Sequence, residues 1–573
     1  MSKADRKQFC CVLLAFILAL IYPFASSANS DGDFSGRPIS SVAVVLDGGA
    51  QENSTYRDAV LRAFSTYPGS HFDQTRSDLM VSRIRRLKFV DNASYTLQSG
   101  VNGDVEITLN VALTKEAKPL AESAIGLFVD PSGKDFPVLY ADARSVLKVK
   151  LENKTMFFSN TNAFFGRPEV LTAGNPLADA PSGRGTNNWL ESSVETGVYG
   201  LSSVSDKISI YGGASYIASG SWGNELFTDR SRTYVHVEDA YLGAMGSNTT
   251  SQGGVRQISL TYGRKAFQVD NGMILRLSSA NGGERAALQS NPRNAAAQLA
   301  LVQFLYDNYK LEIFRLDPDE LKETDSATVI NGINLEGLVA PRARVGAMLL
   351  KVPKSTFSYY TDRATYSRSG LRLADIRLSL EPPSSGSGVY ARGEFARQTN
   401  SNFSMDARAA YIEAGYQFSD VQWNPALSYR YSRFSGDNPD TTKFERWDPL
   451  FAGGGGDEWV QGLNEYKVVQ TSNVVAHRFM ARLRPTQRWE LTPQFWVFRA
   501  DTLNNLGGAQ ALSILSSKDL GQEINLTARY VSSANLIFVY SAAYTRPGEA
   551  IRSSLSNNYK NWLSASALAI MRF

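Results

Sequence analysis

A chain of 573 residues with a formal net charge of +4 is longer than one ordinary soluble domain, and its charge excess is too small to suggest nucleic-acid binding. Beyond the amino terminus no segment approaches the roughly eighteen consecutive apolar residues of a membrane helix, which excludes a helical membrane protein. Aromatic residues at 11%, 45 glycines and 26 tyrosines suit a transmembrane β-barrel, whose alternate strand residues face a polar lumen and so escape hydropathy averaging.

Lys3, Arg6 and Lys7 precede an apolar run from Cys10 to Tyr22 and the small residues Ser26, Ser27 and Ala28. That layout predicts a secretory signal peptide over residues 1–28, cleaved after Ala28. Cys10 and Cys11 lie at the start of the apolar run, not at the cleavage site. The mature chain is therefore expected to carry no cysteine, disulfide or thiol chemistry.

Residues 38–115 read as a small α+β domain. SSVAVVLDG is strand-like and rich in valine. Tyr56, Val60 and Phe64 recur at helical spacing, and Asp73 is placed to cap a second helix with the face Met80, Ile84, Leu87. Two strands follow, Lys88 to Gln98 and the alternating Val105, Ile107, Leu109, Val111, Leu113. This β-α-α-β-β order, with Gly69, Phe72 and Asp73 between the helices, resembles a POTRA domain. The resemblance implies a periplasmic docking module able to pair a strand edge with a partner protein.

Residues 116–189 read as a connector. SVLKVKLENKTMFFSN is either one further strand or a helix-strand link, and the Gly-, Pro- and Asn-rich stretch after it either enters the barrel mouth or lies below it.

From Leu190 to Phe573 roughly eighteen short alternating segments recur, the even number expected of a bacterial barrel. The first lies near 190–201, one covers 355–362, and the last is 561–573. Brief turns at Pro485-Thr486 and near Ala534, against long loops at 436–464, 501–518 and 547–560, put Phe573 on the periplasmic side. In that register the gap 269–297 falls on the same side, where a long segment is not expected, so either the register differs there or the segment folds into the lumen.

Alternation also assigns faces. In EINLTARY, Ile524, Leu526, Ala528 and Tyr530 share one side and Glu523, Asn525, Thr527 and Arg529 the other. A charge on the lipid face costs about 2–4 kcal/mol at the midplane for Arg or Lys, so the second set faces the lumen. The same reading sends inward Arg344, Asp375, Arg377, Arg392, Glu394, Glu413, Arg430, Arg478, Arg482 and Glu490. The result is a lumen of both signs with arginine in slight excess. These charges either satisfy one another in ladders or line a path attracting a carboxylate-bearing solute, because guanidinium pairs carboxylate bidentately. A barrel this wide is not filled by its own side chains, so it holds a path or a plug. Met571 and Phe573 end the last strand, which is expected to signal to the barrel assembly machinery and to close against the first strand near Leu190.

VEDAYLGAM (Val237 to Met245) followed by LTYGRKAFQVDNGMIL (Leu260 to Leu275), together with FERWDPLFAGGGGDEW (Phe444 to Trp459), resembles the alginate-export outer-membrane porin family. The resemblance implies an eighteen-stranded barrel exporting an anionic polysaccharide or oligosaccharide. It makes Glu238, Arg264 and Lys265 lumen candidates, although Lys265 stands where an uncharged amide is expected. Strict alternation from Leu260 turns Arg264 outward, so a bulge near Gly263 is required.

His71, His236 and His477 show no metal-ligand spacing, and no nucleophile is paired with a base. No enzyme, metal or cofactor is expected. The leading expectation is an outer-membrane export channel with a periplasmic docking domain, in contact with outer-membrane lipid, an anionic polysaccharide and a periplasmic partner. The alternative is a protein secretion or assembly transporter fed by the POTRA-like domain. A structural anchor with a plugged lumen is a third reading.

Overall fold

The computed structural model describes residues 34–572 except 35–36, 48–53, 65, 67–70, 86, 88, 101–103, 115–123, 129–137, 142–143, 206, 250–254, 307, 341, 384–385, 454–460 and 534. The signal-peptide reading and Phe573 lie outside the described residues.

Strand β1 (Ile39–Asp47), helices Ser54–Phe64 and Gln74–Ile84, β2 (Val90–Ser99) and β3 (Val105–Leu113) follow in the expected order. β3 is central, parallel to β1 and antiparallel to β2. Its alternation explains that position, since Val105, Ile107, Leu109 and Val111 are buried in one core with Val60, Phe64, Met80 and Ile84 of the helices. Asp73 caps the second helix, its Oδ1 accepting the Arg76 N–H at 3.0 Å.

After β4 (Ala124–Phe128) and β5 (Val138–Ala141), which pair onto the start of the next strand, the chain forms a closed antiparallel barrel of 18 strands among the described residues. The first nine are β6 (Ser145–Thr161), β7 (Thr186–Ser203), β8 (Ile208–Gly223), β9 (Arg232–Thr249), β10 (Val255–Arg264), β11 (Gln298–Tyr306), β12 (Tyr309–Asp317), β13 (Val329–Ala340) and β14 (Ala343–Lys354). Then β15 (Ser358–Tyr360) and β16 (Thr365–Ser367) pair as a separate two-stranded hairpin. The wall resumes with β17 (Leu371–Leu380), β18 (Gly388–Asn400), β19 (Ala407–Gln417), β20 (Ala426–Phe434), β21 (Val474–Thr486), β22 (Trp489–Arg499), β23 (Asp519–Ser533), β24 (Leu536–Pro547) and β25 (Trp562–Arg572).

Two sequence expectations about the wall are corrected here. The barrel begins at Ser145 rather than near Leu190, and 355–362 is a loop hairpin rather than a wall strand. The errors cancel in the count but not in the register. β6 is hard to read because Asn153 and Thr155 interrupt its outward apolar series of Leu147, Val149, Leu151 and Phe157, while Lys148, Lys150, Glu152 and Lys154 sit on its inward positions. With β6 in place, tight turns fall on the rim where β25 ends and long loops on the other. The 269–297 segment moves to the long-loop rim, which the asymmetry of such barrels makes external. Closure is between β25 and β6, with Leu563 opposite Thr161 and Met571 opposite Asn153, not near Leu190. Leu563, Ala565, Ala567, Ala569 and Met571 form the outward face of β25, while Trp562 and Ile570 are buried inward.

The lumen is filled from both ends. The small α+β domain sits inside the barrel, bonded to β7, β11, β14 and β21. Arg344 of β14 donates to the Ile39 carbonyl (3.1 Å), Arg484 of β21 to the Gly100 carbonyl (3.1 Å), Tyr199 of β7 to Asp78 (3.2 Å), and Arg76 to Gln303 of β11 (3.3 Å). The expected hanging domain is therefore an in-lumen plug in this structure. The physical reason is the width of an eighteen-stranded wall, whose inward polar groups need partners that side chains alone do not supply.

From the long-loop rim, residues 265–297, 435–453 and 461–473 fold inward. They are joined by backbone bonds from Arg276 and Leu277 to the Phe451 carbonyl (2.9 and 3.0 Å) and from Gly453 to the Gly272 carbonyl (3.0 Å). Phe267, Ile274, Leu275, Phe444 and Trp447 of these loops share one buried core with Phe164, Phe165 and Trp562.

Candidate functional site

Arg392, Glu413, Arg430 and Arg478 are successive cross-strand partners on β18, β19, β20 and β21. Strand pleating alone turns all four inward. Glu413 lies 3.2 Å from Arg392, 2.8 Å from Arg430 and 2.6 Å from Arg478. Three guanidinium groups thus meet one carboxylate. Nε and Nη1 of Arg478 are buried and donate to no acceptor among the described residues. One layer away, Arg482, Arg484 and Arg529 surround Glu490 at 3.7, 3.4 and 3.7 Å.

The opposite sign gathers on β13, β17 and β18. Arg377 pairs with Asp375 at 3.3 Å and with Glu336 at 3.8 Å, bonds Asn334, and faces Glu394 across the sheet. Sequence reading missed Glu336 together with Lys310, which lies 3.1 Å from Glu336 and 3.2 Å from Glu312. It also missed Lys150, Glu195 and Asp239, joined at 2.5 and 2.9 Å. The signal was present as alternation in β12 and β13, whereas β6 had not been placed in the wall.

Other wall carboxylates hold the infolded loops. Glu523 accepts the backbone N–H groups of Leu463 (2.6 Å), Asn464 (2.9 Å) and Glu465 (3.1 Å). Glu238 accepts those of Asn294 (2.6 Å) and Ala295 (2.9 Å), and Glu191 those of Gln289 and Ser290. Each satisfies backbone donors that would otherwise be buried without partners.

Arg264 does reach the interior, bonding the Val237 carbonyl at 3.1 Å and Asp319 at 2.8 Å. The required bulge is not there, because the pairing of β9 with β10 runs without a register shift. Gly263 redirects the chain instead through φ +128°, and a Cβ there would meet the Ala240 carbonyl at 2.2 Å. Lys265 stands 2.6 Å from Asp73 of the plug and 4.3 Å over the Tyr241 ring. Burial lifts the Asp73 carboxyl, but the Lys265 ammonium and the Arg76 N–H outweigh it and hold it at about 2. His71 bonds the Asp270 carbonyl of the infolded loop. Desolvation, aided by Lys310, pushes its imidazole below the ordinary value.

The predicted lumen residues point inward, and a small cavity of about 40 Å³ lies between plug and wall near Asp104, Asp270, Glu336, Arg344, Arg377 and Arg392. Met571 is on the outer face of β25 and 38% exposed, as its place in the lipid-facing series requires.

No curated protein matches the chain. Among solved structures, Pseudomonas aeruginosa OprD is 11% identical, covering 74% of this chain and 95% of its own with a TM-score of 0.44. Pseudomonas aeruginosa OccD3 (OpdP) is 9% identical over 80% of this chain and 95% of its own, TM-score 0.43. Acinetobacter baumannii OccAB2 is 9% identical over 74% and 98%, TM-score 0.43. Residues 219–562, more than half of the sequence and most of the barrel wall, match the alginate export family, and with the closed eighteen-stranded wall around this charged lumen the chain belongs to that family of outer-membrane channels.

Proposed function

We propose that the protein is an outer-membrane export channel for an anionic, alginate-like polysaccharide or oligosaccharide, gated by the α+β domain held in its lumen. The observation that carries this reading is the Arg392–Glu413–Arg430–Arg478 ladder, with three guanidinium groups against one carboxylate and open donors on Arg478. Guanidinium is planar and pairs a uronate carboxylate bidentately, and low-dielectric walls strengthen that attraction. Arg482, Arg484 and Arg529 around Glu490 continue the cationic wall along the same side.

Passage requires the plug to shift, since its bonds to β7, β14 and β21 hold it across the lumen. In this reading a secretory signal peptide directs the chain to the periplasm, and the barrel assembly machinery reads Met571 and Phe573. A periplasmic partner then engages the plug and pulls it aside. The protein-translocase alternative loses its main support, because the domain that would receive unfolded substrate is bonded within the lumen.

Planar-bilayer recording tests the reading. Once the plug is loosened, current should prefer anions and be blocked by uronate oligomers from the periplasmic side. Cation preference, or indifference to uronate oligomers, would refute the electrostatic proposal.

A further inference from the structure

The outer face of the barrel carries cations where lipid is expected. Arg315 of β12, Asn331 of β13, Lys351 of β14 and Arg372 of β17 are successive cross-strand partners. Arg372 is opposite Thr399 of β18, and Arg397 of β18 is opposite Arg408 of β19. Their parity is that of the lipid-facing residues, and all five cations are exposed. They lie in the half of the wall next to the long-loop rim.

Two of these cross-strand pairs, Lys351 with Arg372 and Arg397 with Arg408, set like charges directly opposite each other, which destabilises a sheet. Asp406 relieves the second pair, lying 2.8 Å from Arg397 and 2.9 Å from Arg408. Among the described residues no carboxylate pairs with Lys351 or Arg372. A lipid-facing Arg or Lys costs about 0–1 kcal/mol near the interface and more below it, so this pair calls for an anion from outside the chain.

Directly below the cations the wall is indented. A concavity of about 1370 Å³ is lined by Leu242, Leu260, Tyr262, Ile313, Ile333 and Leu349, with Lys351, Arg372 and Arg397 on its border. Inward glycines permit the indentation. A Cβ at Gly332 would lie 2.1 Å from the Phe314 ring, and one at Gly243 2.3 Å from the Tyr211 ring. The concavity exceeds the roughly 300–1,000 Å³ of sites for drug-sized ligands. It is apolar within and cationic at one end, the end facing the outside of the cell.

We infer that this face is a binding site for one lipid of the outer leaflet, a phosphorylated, multiply acylated glycolipid of the lipopolysaccharide class. Its phosphates pair with Arg315, Lys351, Arg372 and Arg397, and its acyl chains fill the indentation. Strand spacing of about 4.8 Å stretches the row from Arg315 to Arg372 over roughly 14 Å, which suits a headgroup with two separated phosphates better than a single phosphodiester. Guanidinium and phosphate make short bidentate bonds.

The test is native mass spectrometry of the detergent-purified full chain, titrated with bisphosphorylated hexa-acyl lipid A, its monophosphoryl form and phosphatidylglycerol. The expected result is one bound bisphosphorylated lipid, held at least tenfold more tightly than phosphatidylglycerol, and loss of that preference in Lys351→Gln/Arg372→Gln. Ala374→Trp, which fills the indentation and keeps every cation, should weaken hexa-acyl lipid A while leaving heat-modifiable migration of the folded barrel intact. Equal binding of phosphatidylglycerol, or unchanged lipid A binding in both variants, would overturn the inference.

Discussion

Lys265, at the point where β10 leaves the wall, holds Asp73 of the plug at 2.6 Å, so the residue that caps a plug helix also helps tie the plug to the barrel. Breaking a fully buried ion pair from one side costs about 3–5 kcal/mol. These side chains are 22% and 30% exposed, and about 2 kcal/mol is the fitting expectation after solvent screening. Lys265→Met should therefore raise the open probability in planar bilayers about tenfold or more. The charge swap Lys265→Asp/Asp73→Lys should restore much of the closure.

Acidification should loosen the plug through His71. Its imidazole sits below the ordinary value because desolvation beside Lys310 disfavours the charged form, against the opposing pull of Glu336 and Glu312. A displaced plug exposes His71, which then takes up a proton near its ordinary value of about 6.5. As pH falls below that value, the displaced state binds a proton that the seated state refuses. Seating weakens by up to about 1.4 kcal/mol per pH unit until the depressed value is reached. Asp73 does not compete in that window, since its contribution is complete above about pH 4 and is lost only toward pH 2. Channel openings should rise from pH 7.5 to 5.5 in the wild type and stay flat in His71→Gln.

Glu523 gathers three backbone N–H groups of the infolded loop. Glu523→Leu removes all three acceptor contacts and leaves the donors buried, at about 1–3 kcal/mol for each unsatisfied group. The loop around 461–473 should become sensitive to external protease, with the barrel strands still protected. A loop as resistant as in the wild type would show that its apolar core holds it without the carboxylate.

Glu413→Gln leaves Arg392, Arg430 and Arg478 facing an uncharged amide. Burying uncompensated charge destabilises by about 3–5 kcal/mol, so the denaturation midpoint should fall. The surviving channels should show greater anion selectivity. Arg478→Gln should move selectivity the opposite way, with a smaller loss of stability because Glu413 keeps two guanidinium partners.

The sequence determined most of the wall. Alternation in segments such as EINLTARY fixes which side chains face lipid, because the pleat has a period of two and a one-residue slip would bury the wrong set. That periodicity is local, so Glu413, Arg430, Arg478 and Glu523 could be turned inward from sequence alone, and the order of elements in the plug could be read as well. Partners across the barrel were not legible, since they depend on register between strands far apart in the chain. The ladder from Arg392 to Arg478 exists only because β18 to β21 align those positions. Two features were decided by tertiary structure alone. β6 breaks its outward apolar series at Asn153 and Thr155, and only its pairing with β25 and β7 shows it to be a wall strand. The small domain carries every signal of an independent fold, and nothing local in it records that Ile39, Gly100 and Asp73 meet donors from the wall. Its place in the lumen follows from the width of a closed eighteen-stranded wall, which only the assembled barrel possesses.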